Sequence, residues 1–389
     1  MSFNQYTWDL YKQTTIGIEM IKYFSDAGGY VLFKDYCPYA NFIPEDLYND
    51  WLENIYCYGV SDYDHPSSLE EAKDLYISLI TLGIRVEGQQ WLPANDFKNM
   101  LGIIQPMSYV LSQFAPEYFF PYLFLCRIFE LNKIADFFNI DLPNIPKRTD
   151  YKGRCMYYWE LCEVFYLFRK ENGLSPADLW SFLYDFAPNN LPSEKIDMPK
   201  PSQVWFIGGR LYQEDKSLES KFWQSSPETK KGDILVHYET SPISAITCIE
   251  ISLTDGVIDP LFRYYGCIYI GNRINIPHIT LKELQTDEYF FKHPLVRKNF
   301  QGVNGWSVNS ENYSELLRMI KTKGFDIEVL PKLYAPTLPK DVIIEYEHDV
   351  EQQLLEPLLN SMGWYENKDF IRQLPIQAGR GHRIFPDYA

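Results

Sequence analysis

No C-x-x-C pair occurs among the seven cysteines (Cys37, Cys57, Cys126, Cys155, Cys162, Cys248 and Cys267), and their number is odd. Structural zinc sites and secreted disulfide scaffolds rest on close or even pairing, so these read as thiols of a reducing, cytoplasmic setting. No apolar run reaches the roughly 18 residues that a membrane span needs. The greasiest stretch, Phe119 to Phe129, is broken by Pro121 and Arg127. Residues 1–10 carry Asp9 and no basic segment ahead of an apolar one, so no secretory signal is expected. Basic residues are the minority, 36 Lys+Arg against 52 Asp+Glu, for a net charge of −16 over 389 residues. What abounds is aromatic: 30 Tyr, 25 Phe and 9 Trp in a chain that is 46% apolar, which excludes disorder over most of its length.

Two proline-rich passages punctuate the chain, one with Pro188, Pro192, Pro199 and Pro201, the other with Pro331, Pro336 and Pro339. Proline fixes φ and lacks a backbone donor, so such clusters interrupt regular elements and mark linkers. They predict domains at residues 1–195, 202–325 and 340–389. Residues 1–195 hold most of the acidity, a net −11, so the global charge says little about what the middle segment binds. The first segment reads helical. Ser68-Leu69-Glu70-Glu71 is a capping-box pattern ahead of Ala72, Leu75, Leu79 and Leu82 at helical spacing. Ser175-Pro176-Ala177-Asp178 opens another helix, with Leu179, Phe182, Leu183 and Phe186 as its apolar stripe. The aromatic runs Tyr118-Phe119-Phe120 and Tyr157-Tyr158-Trp159 read as core.

In the middle segment the period changes. Asp233 to Val236, Ala245 to Ile251 and Cys267 to Ile270 are Ile/Val-rich runs bounded by Gly232, Asp255-Gly256 and Gly271-Asn272, which are strand-and-turn signatures. The ordered series Val204-Trp205-Phe206-Ile207, Phe222-Trp223, Lys231-Gly232-Asp233-Ile234-Leu235-Val236-His237-Tyr238, Ile279 to Leu284, His293 to Arg297 and Gly305-Trp306-Ser307-Val308 resembles the EVE domain. EVE domains are PUA-like barrels related to the YTH readers of methylated adenine. The resemblance covers about a third of the chain and implies a pocket for a flipped, modified base of DNA or RNA. Such a pocket needs a nearly neutral aromatic cage with a group to read the base edge. Trp205, Trp223 and Tyr238 match the family's pocket-lining segments, and barrel core is the competing reading for each. His237 either reads the base edge or caps a strand end. Cations for the phosphates are expected from Lys292, Arg297 and Lys298, within a stretch (residues 291–323) of local charge +4. Asp255 and Asp259, in the long loop Ser252 to Arg263, depart from the family and would repel phosphate if they faced it.

Near the C-terminus, Glu347-His348-Asp349-Val350, Glu356-Pro357-Leu358-Leu359, Gly363-Trp364, Gly379-Arg380-Gly381 and Pro386-Asp387-Tyr388 resemble the N-terminal domain of type I restriction-enzyme R proteins. That family has the PD-(D/E)xK nuclease fold, which implies Glu347 and Asp387 as catalytic ligands for Mg²⁺. A solvated acidic helix start is the alternative reading of Glu345, Glu347, Asp349 and Glu351. The downstream E-x-K strand is not present in these 389 residues, so this polypeptide is expected not to cut DNA. The expectation is therefore a multidomain α+β protein: an all-α N-terminal domain, a PUA-like (EVE) β-barrel in the middle, and a partial α/β restriction-endonuclease-like fold at the C-terminus. Its expected function is recognition of a flipped modified base, with nucleic acid as partner and Mg²⁺ only for a complete nuclease. A noncatalytic RNA or modified-nucleotide binding protein is the alternative.

Overall fold

The computed structural model describes residues 3–37, 40, 43–86, 89–192, 198–210, 220–334, 347–372, 376–377 and 383–384. The protein is mixed α+β. Its contacts divide the chain into two compact units, Met1–Lys195 with Val257–Cys267 and Ile196–Gly256 with Ile268–Ala389. No described helix is long and apolar enough to cross a membrane.

The first unit is built from helices whose starts are written in short polar side chains. Asn4, Thr14, Ser68, Asp96, Asp150 and Ser175 each accept a first-turn backbone N–H, a cap worth about 1 kcal/mol apiece. Ser175 and Asp178 form the full reciprocal box. At the other predicted box the return bond slips by one residue: Glu71 accepts from Ser67 rather than Ser68. The long helix Tyr151–Glu171 buries Tyr157, Tyr158, Trp159 and Phe165. Tyr158, Trp159 and Phe165 pack with Tyr76, Phe119 and Phe120 in tilted and edge-to-face ring pairs. A second ring cluster joins Phe182 to Trp8, Phe138 and Phe168. Leu82 is the one member of its predicted stripe left exposed, at 62%, because its helix ends there.

The unit is not all-α, which corrects the prediction. After Gly83, strands β1 (Ile84–Val86) and β2 (Gln89–Leu92) pair antiparallel. Gly83 has φ +76, and a Cβ there would lie 2.1 Å from the Leu92 carbonyl oxygen. Only glycine lets the helix end that close to the returning strand.

The excursion Val257–Cys267 also belongs to this unit. Arg154 is buried and donates to the carbonyls of Pro260 and Phe262 at 2.8 and 2.6 Å. Asp259, fully buried, accepts backbone N–H bonds from Cys126, Leu261 and Phe262.

The second unit is organised by a curled mixed sheet with β3 (Val204–Gly209), β4 (Ser220–Gln224), β5 (Ile234–Glu239), β6 (Ala245–Ser252), β8 (Gly266–Thr280) and β9 (Trp306–Val308), while β7 (Val257–Ile258), in the excursion, pairs with Cys267 and Gly266 at the start of β8. The order is β4-β8-β6-β5-β3-β9, with β7 on β8. β3 and β5 run parallel, and β5–β6, β6–β8 and β3–β9 are antiparallel. Among the described residues no pairing closes β4 onto β9. Alternation separates two faces. Val204, Phe206, Ile234, Val236 and Tyr238 point to one, where the helix Ser310–Thr322 covers them with Tyr313, Leu316 and Ile320. Trp205, Ile207 and Leu235 point to the other and meet Ile268 and Ile270.

The C-terminal stretch is grouped with this second unit by its contacts. Its helix is broken by a π-turn, Glu351–Leu355, after which Pro357 sits in the first turn of Glu356–Ser361. The irregular turn absorbs the N–H that proline lacks, which removes the cost expected of a mid-helix proline.

Candidate functional site

On the sheet face bearing Trp205, the register sets His237 of β5 opposite Cys248 of β6. Glu250 follows two residues along β6, so its side chain returns to the same face as that of Cys248. His237 Nδ1 lies 3.0 Å from Glu250 Oε2, and both side chains are buried, at 0 and 1% exposure. Arg273 of β8 donates to the other oxygen of Glu250, with Nε at 2.7 Å and Nη2 at 2.6 Å. An ionised carboxylate only accepts, so Nδ1 of the imidazole carries the proton in this bond. The other ring nitrogen of His237 is Nε2. That atom is buried and has no hydrogen-bond partner among the described residues.

Trp223 of β4 leans on His237 edge-on, ring centroids 4.8 Å apart and planes at 62°. Gly209 gives the indole its room, since a Cβ there would fall 2.5 Å from the ring. Asn304 ties the pieces together. Its Oδ1 accepts from the Gly208 backbone at 2.8 Å and from Trp223 Nε1 at 3.3 Å, and its amide donates to Gln224 Oε1 at 3.3 Å.

His237, Cys248 and Glu250 bring one donor atom each within 4.8 Å of one another. Imidazole, thiolate and carboxylate are a zinc-type donor set. The guanidinium of Arg273, however, holds a fixed positive charge on the carboxylate that a cation would need. The three side chains fit a His–Glu–Arg hydrogen-bonded relay better than a metal centre. Buried ion pairs of this kind contribute little net stability, so the relay's value lies in fixing the imidazole.

The predicted cage is only partly assembled. Trp223 and His237 touch, and Trp205 shares their face. Trp205 is 3% exposed and packed among Ile207, Leu235, Ile268 and Ile270. Its indole N–H donates to Asp233 at 2.9 Å. Asp233 also accepts from Ser202, Gln203 and Lys230; burial raises its carboxyl above the usual range and these bonds pull it back. Trp205 is thus a wall beneath Trp223, and its ring offers no open platform for a base. Tyr238 is a correction. Strand alternation turns it to the other face, where it stacks on Phe300 at 4.0 Å and 3°.

Lys292, Arg297 and Lys298 are exposed, and none has a carboxylate partner among the described residues. Their segment packs through Leu295 and Val296 on the face of Tyr238, opposite His237. It reaches the site's edge through Asn304, a few residues on. Asp255 and Asp259 would repel phosphate only if they faced it. Asp259 is buried in the first unit, and Asp255 accepts from the Lys231 backbone and from Lys368. Glu347 begins the helix Glu347–Val350, with its side chain outside the described residues, as is the whole of Asp387.

The residues that sequence reasoning missed are Glu250, Arg273 and Asn304. The signal for the first was present: a lone carboxylate in Ala245-Ile246-Thr247-Cys248-Ile249-Glu250-Ile251, an otherwise apolar run. A charge inside a buried strand needs a partner.

No protein-family model matches the chain, and no curated protein matches it. Solved structures that resemble part of it include the NMR structure of Rpa0253 from Rhodopseudomonas palustris, 14% identical, covering 31% of this chain and 94% of that one at TM-score 0.27. A hypothetical protein from Leishmania major is 12% identical, covering 32% and 98% at TM-score 0.27. Protein Atu2648 from Agrobacterium tumefaciens is 17% identical, covering 34% and 100% at TM-score 0.29. At such scores these likenesses carry no function to the chain.

Proposed function

We propose that the second unit binds nucleic acid and reads a single flipped, modified base, in a protein of restriction or phage-defence type. The observation that carries this reading is the buried Nε2 of His237, without a hydrogen-bond partner among the described residues, beside the Trp223 ring. Leaving such a group unsatisfied costs about 1–3 kcal/mol, and a base edge is one ligand that would satisfy it. An indole beside it suits the π-face of the same base. The exposed Lys292, Arg297 and Lys298 would supply the charge that phosphates need.

An electrophoretic panel of plain, cytosine-modified and adenine-modified duplexes tests this. One modified duplex should bind more tightly than its plain counterpart, and Trp223→Ala should weaken that binding by about 1–3 kcal/mol while the fold persists. Equal binding of all three duplexes, or a Trp223→Ala chain that binds normally, would sink the reading.

A second reading, a noncatalytic RNA or modified-nucleotide binder, is favoured by how the C-terminal stretch packs within its own unit. Lys230 pairs with the nearly buried Asp369 and lies 4.8 Å from the Trp364 ring centroid. Lys368 pairs with Asp255 at 2.9 Å. A segment held in this way serves packing without needing chemistry. The two readings part on cleavage. In a chain extended through an E-x-K strand, Mg²⁺-dependent cutting that is lost on Glu347→Ala or Asp387→Ala supports a nuclease, and its absence supports the binder.

A further inference from the structure

We infer that the first unit carries a site of its own, a ring-lined cavity that takes a quaternary ammonium group. The inference is independent of base reading, which concerns the second unit alone. The cavity has a volume of about 340 Å³, within the range of small-ligand pockets. Tyr56, His65, Tyr109 and Phe114 line it, together with Gln113. Tyr56 opens a π-turn, Tyr56–Val60, at the end of the helix Glu45–Ile55, and 48% of it remains exposed. Tyr109 and Gln113 stand four residues apart on the helix Ile104–Phe114 and so share a face. The imidazole of His65 lies flat on the Phe114 ring, centroids 4.1 Å apart and planes at 15°. Gly29 leaves room for the Tyr109 ring, which a Cβ there would approach to 2.7 Å.

The charge of the ligand follows from what surrounds these rings. The lining side chains come from two stretches, residues 35–72 and 99–126, that contain neither Lys nor Arg. The first stretch carries nine Asp and Glu. Glu53, one turn before Tyr56, and Asp64, next to His65, are exposed and have no cationic partner among the described residues. Such surroundings repel an anion and draw in a cation. The described lining holds no carboxylate, so a primary ammonium or a guanidinium would bury N–H groups with too few acceptors. A quaternary ammonium has no N–H to satisfy, and the faces of aromatic rings attract its charge. Acids outside the cavity and rings within it thus select a cation clothed in methyl groups.

The experiment is calorimetric titration of the full chain with choline, with its uncharged isostere in which carbon replaces nitrogen, and with matched peptides bearing trimethyllysine or lysine. Choline should bind about tenfold or more tightly than the isostere, because the two share shape and differ in charge. A trimethyllysine peptide that binds more tightly than choline, while its lysine counterpart does not, places the group on a protein side chain. A peptide no tighter than choline places it on a small molecule. Tyr56→Leu should weaken choline binding by about fivefold and Tyr56→Phe should preserve it, a pattern that loss of packing alone would not give. Equal binding of choline and its isostere, binding of neither, or unchanged choline affinity in a folded Tyr56→Leu chain overturns the inference and leaves base reading standing. The wild-type comparison decides the matter even if a variant fails to fold.

Discussion

The two faces of the central sheet are made by the same strands and are chemically unlike. Beneath the helix Ser310–Thr322 the face is apolar and aromatic: Val204, Phe206, Val236 and Ile249 cluster with Tyr238, Tyr313, Leu316 and Ile320. Across the strands, Trp205 and Leu235 share their face with His237, Glu250 and Arg273. A fold needs only the first kind of surface, since each buried aliphatic side chain contributes about 1.5–3 kcal/mol without demanding partners. The second kind carries desolvation costs that hydrogen bonds only offset. The contrast marks the second face as the one where packing was the harder solution.

Substitutions on each face should therefore separate stability from binding. Leu316→Ala is expected to give the largest stability loss, about 2–5 kcal/mol, visible in chemical denaturation. Oligonucleotide affinity should be unchanged under conditions where the variant is folded. If affinity fell as far as it does for Trp223→Ala, the two faces would not be functionally distinct.

The contrast extends to a second buried acid. Glu250 is answered by charged and ring side chains, Asp259 by backbone N–H groups of Cys126, Leu261 and Phe262. Burial pushes the Asp259 carboxyl up to about 6, above the roughly 3.9 of an unfolded chain. Ionised Asp259 thus opposes folding. The penalty is absent below about pH 4, and complete above about pH 6, where it is on the order of 3 kcal/mol. Denaturation of wild type and Asp259→Asn from pH 4 to 7 should show wild type losing relative stability across that window. A difference that stays flat with pH would mean that the backbone donors stabilise the charge as well as water does.

The smallest effect is expected at the surface. Arg297→Ala should flatten the dependence of log affinity on log salt by about one unit if that side chain meets one phosphate. An unaltered slope would remove it from the interface.

Much of this arrangement was legible in the residues. The Ser175 box, the Tyr157-Tyr158-Trp159 core run and the covering helix around Tyr313, Leu316 and Ile320 follow from caps and periodicity, which are local. The split between His237 and Tyr238 is also local in principle, because neighbours in a strand face opposite ways; grouping both in one cage overlooked that rule. Arg273 reaching Glu250 depends on how β8 pairs with β6 through shifted register, which no spacing along the chain encodes. The burial of Asp259 is non-local in part: Leu261 and Phe262 are neighbours in its own loop, but Cys126 lies in a distant segment of sequence.

The same excursion bears on the order in which the molecule can be completed during synthesis. When Lys195 has been made, the first unit still lacks Val257–Cys267, and with it the carbonyls that receive Arg154 and the carboxylate that receives Cys126 N–H. At roughly 5–20 residues per second, several seconds pass before that plug emerges. Through that interval a guanidinium destined for the interior has no partners from the plug, so the helical unit waits on a piece encoded inside the segment that follows it.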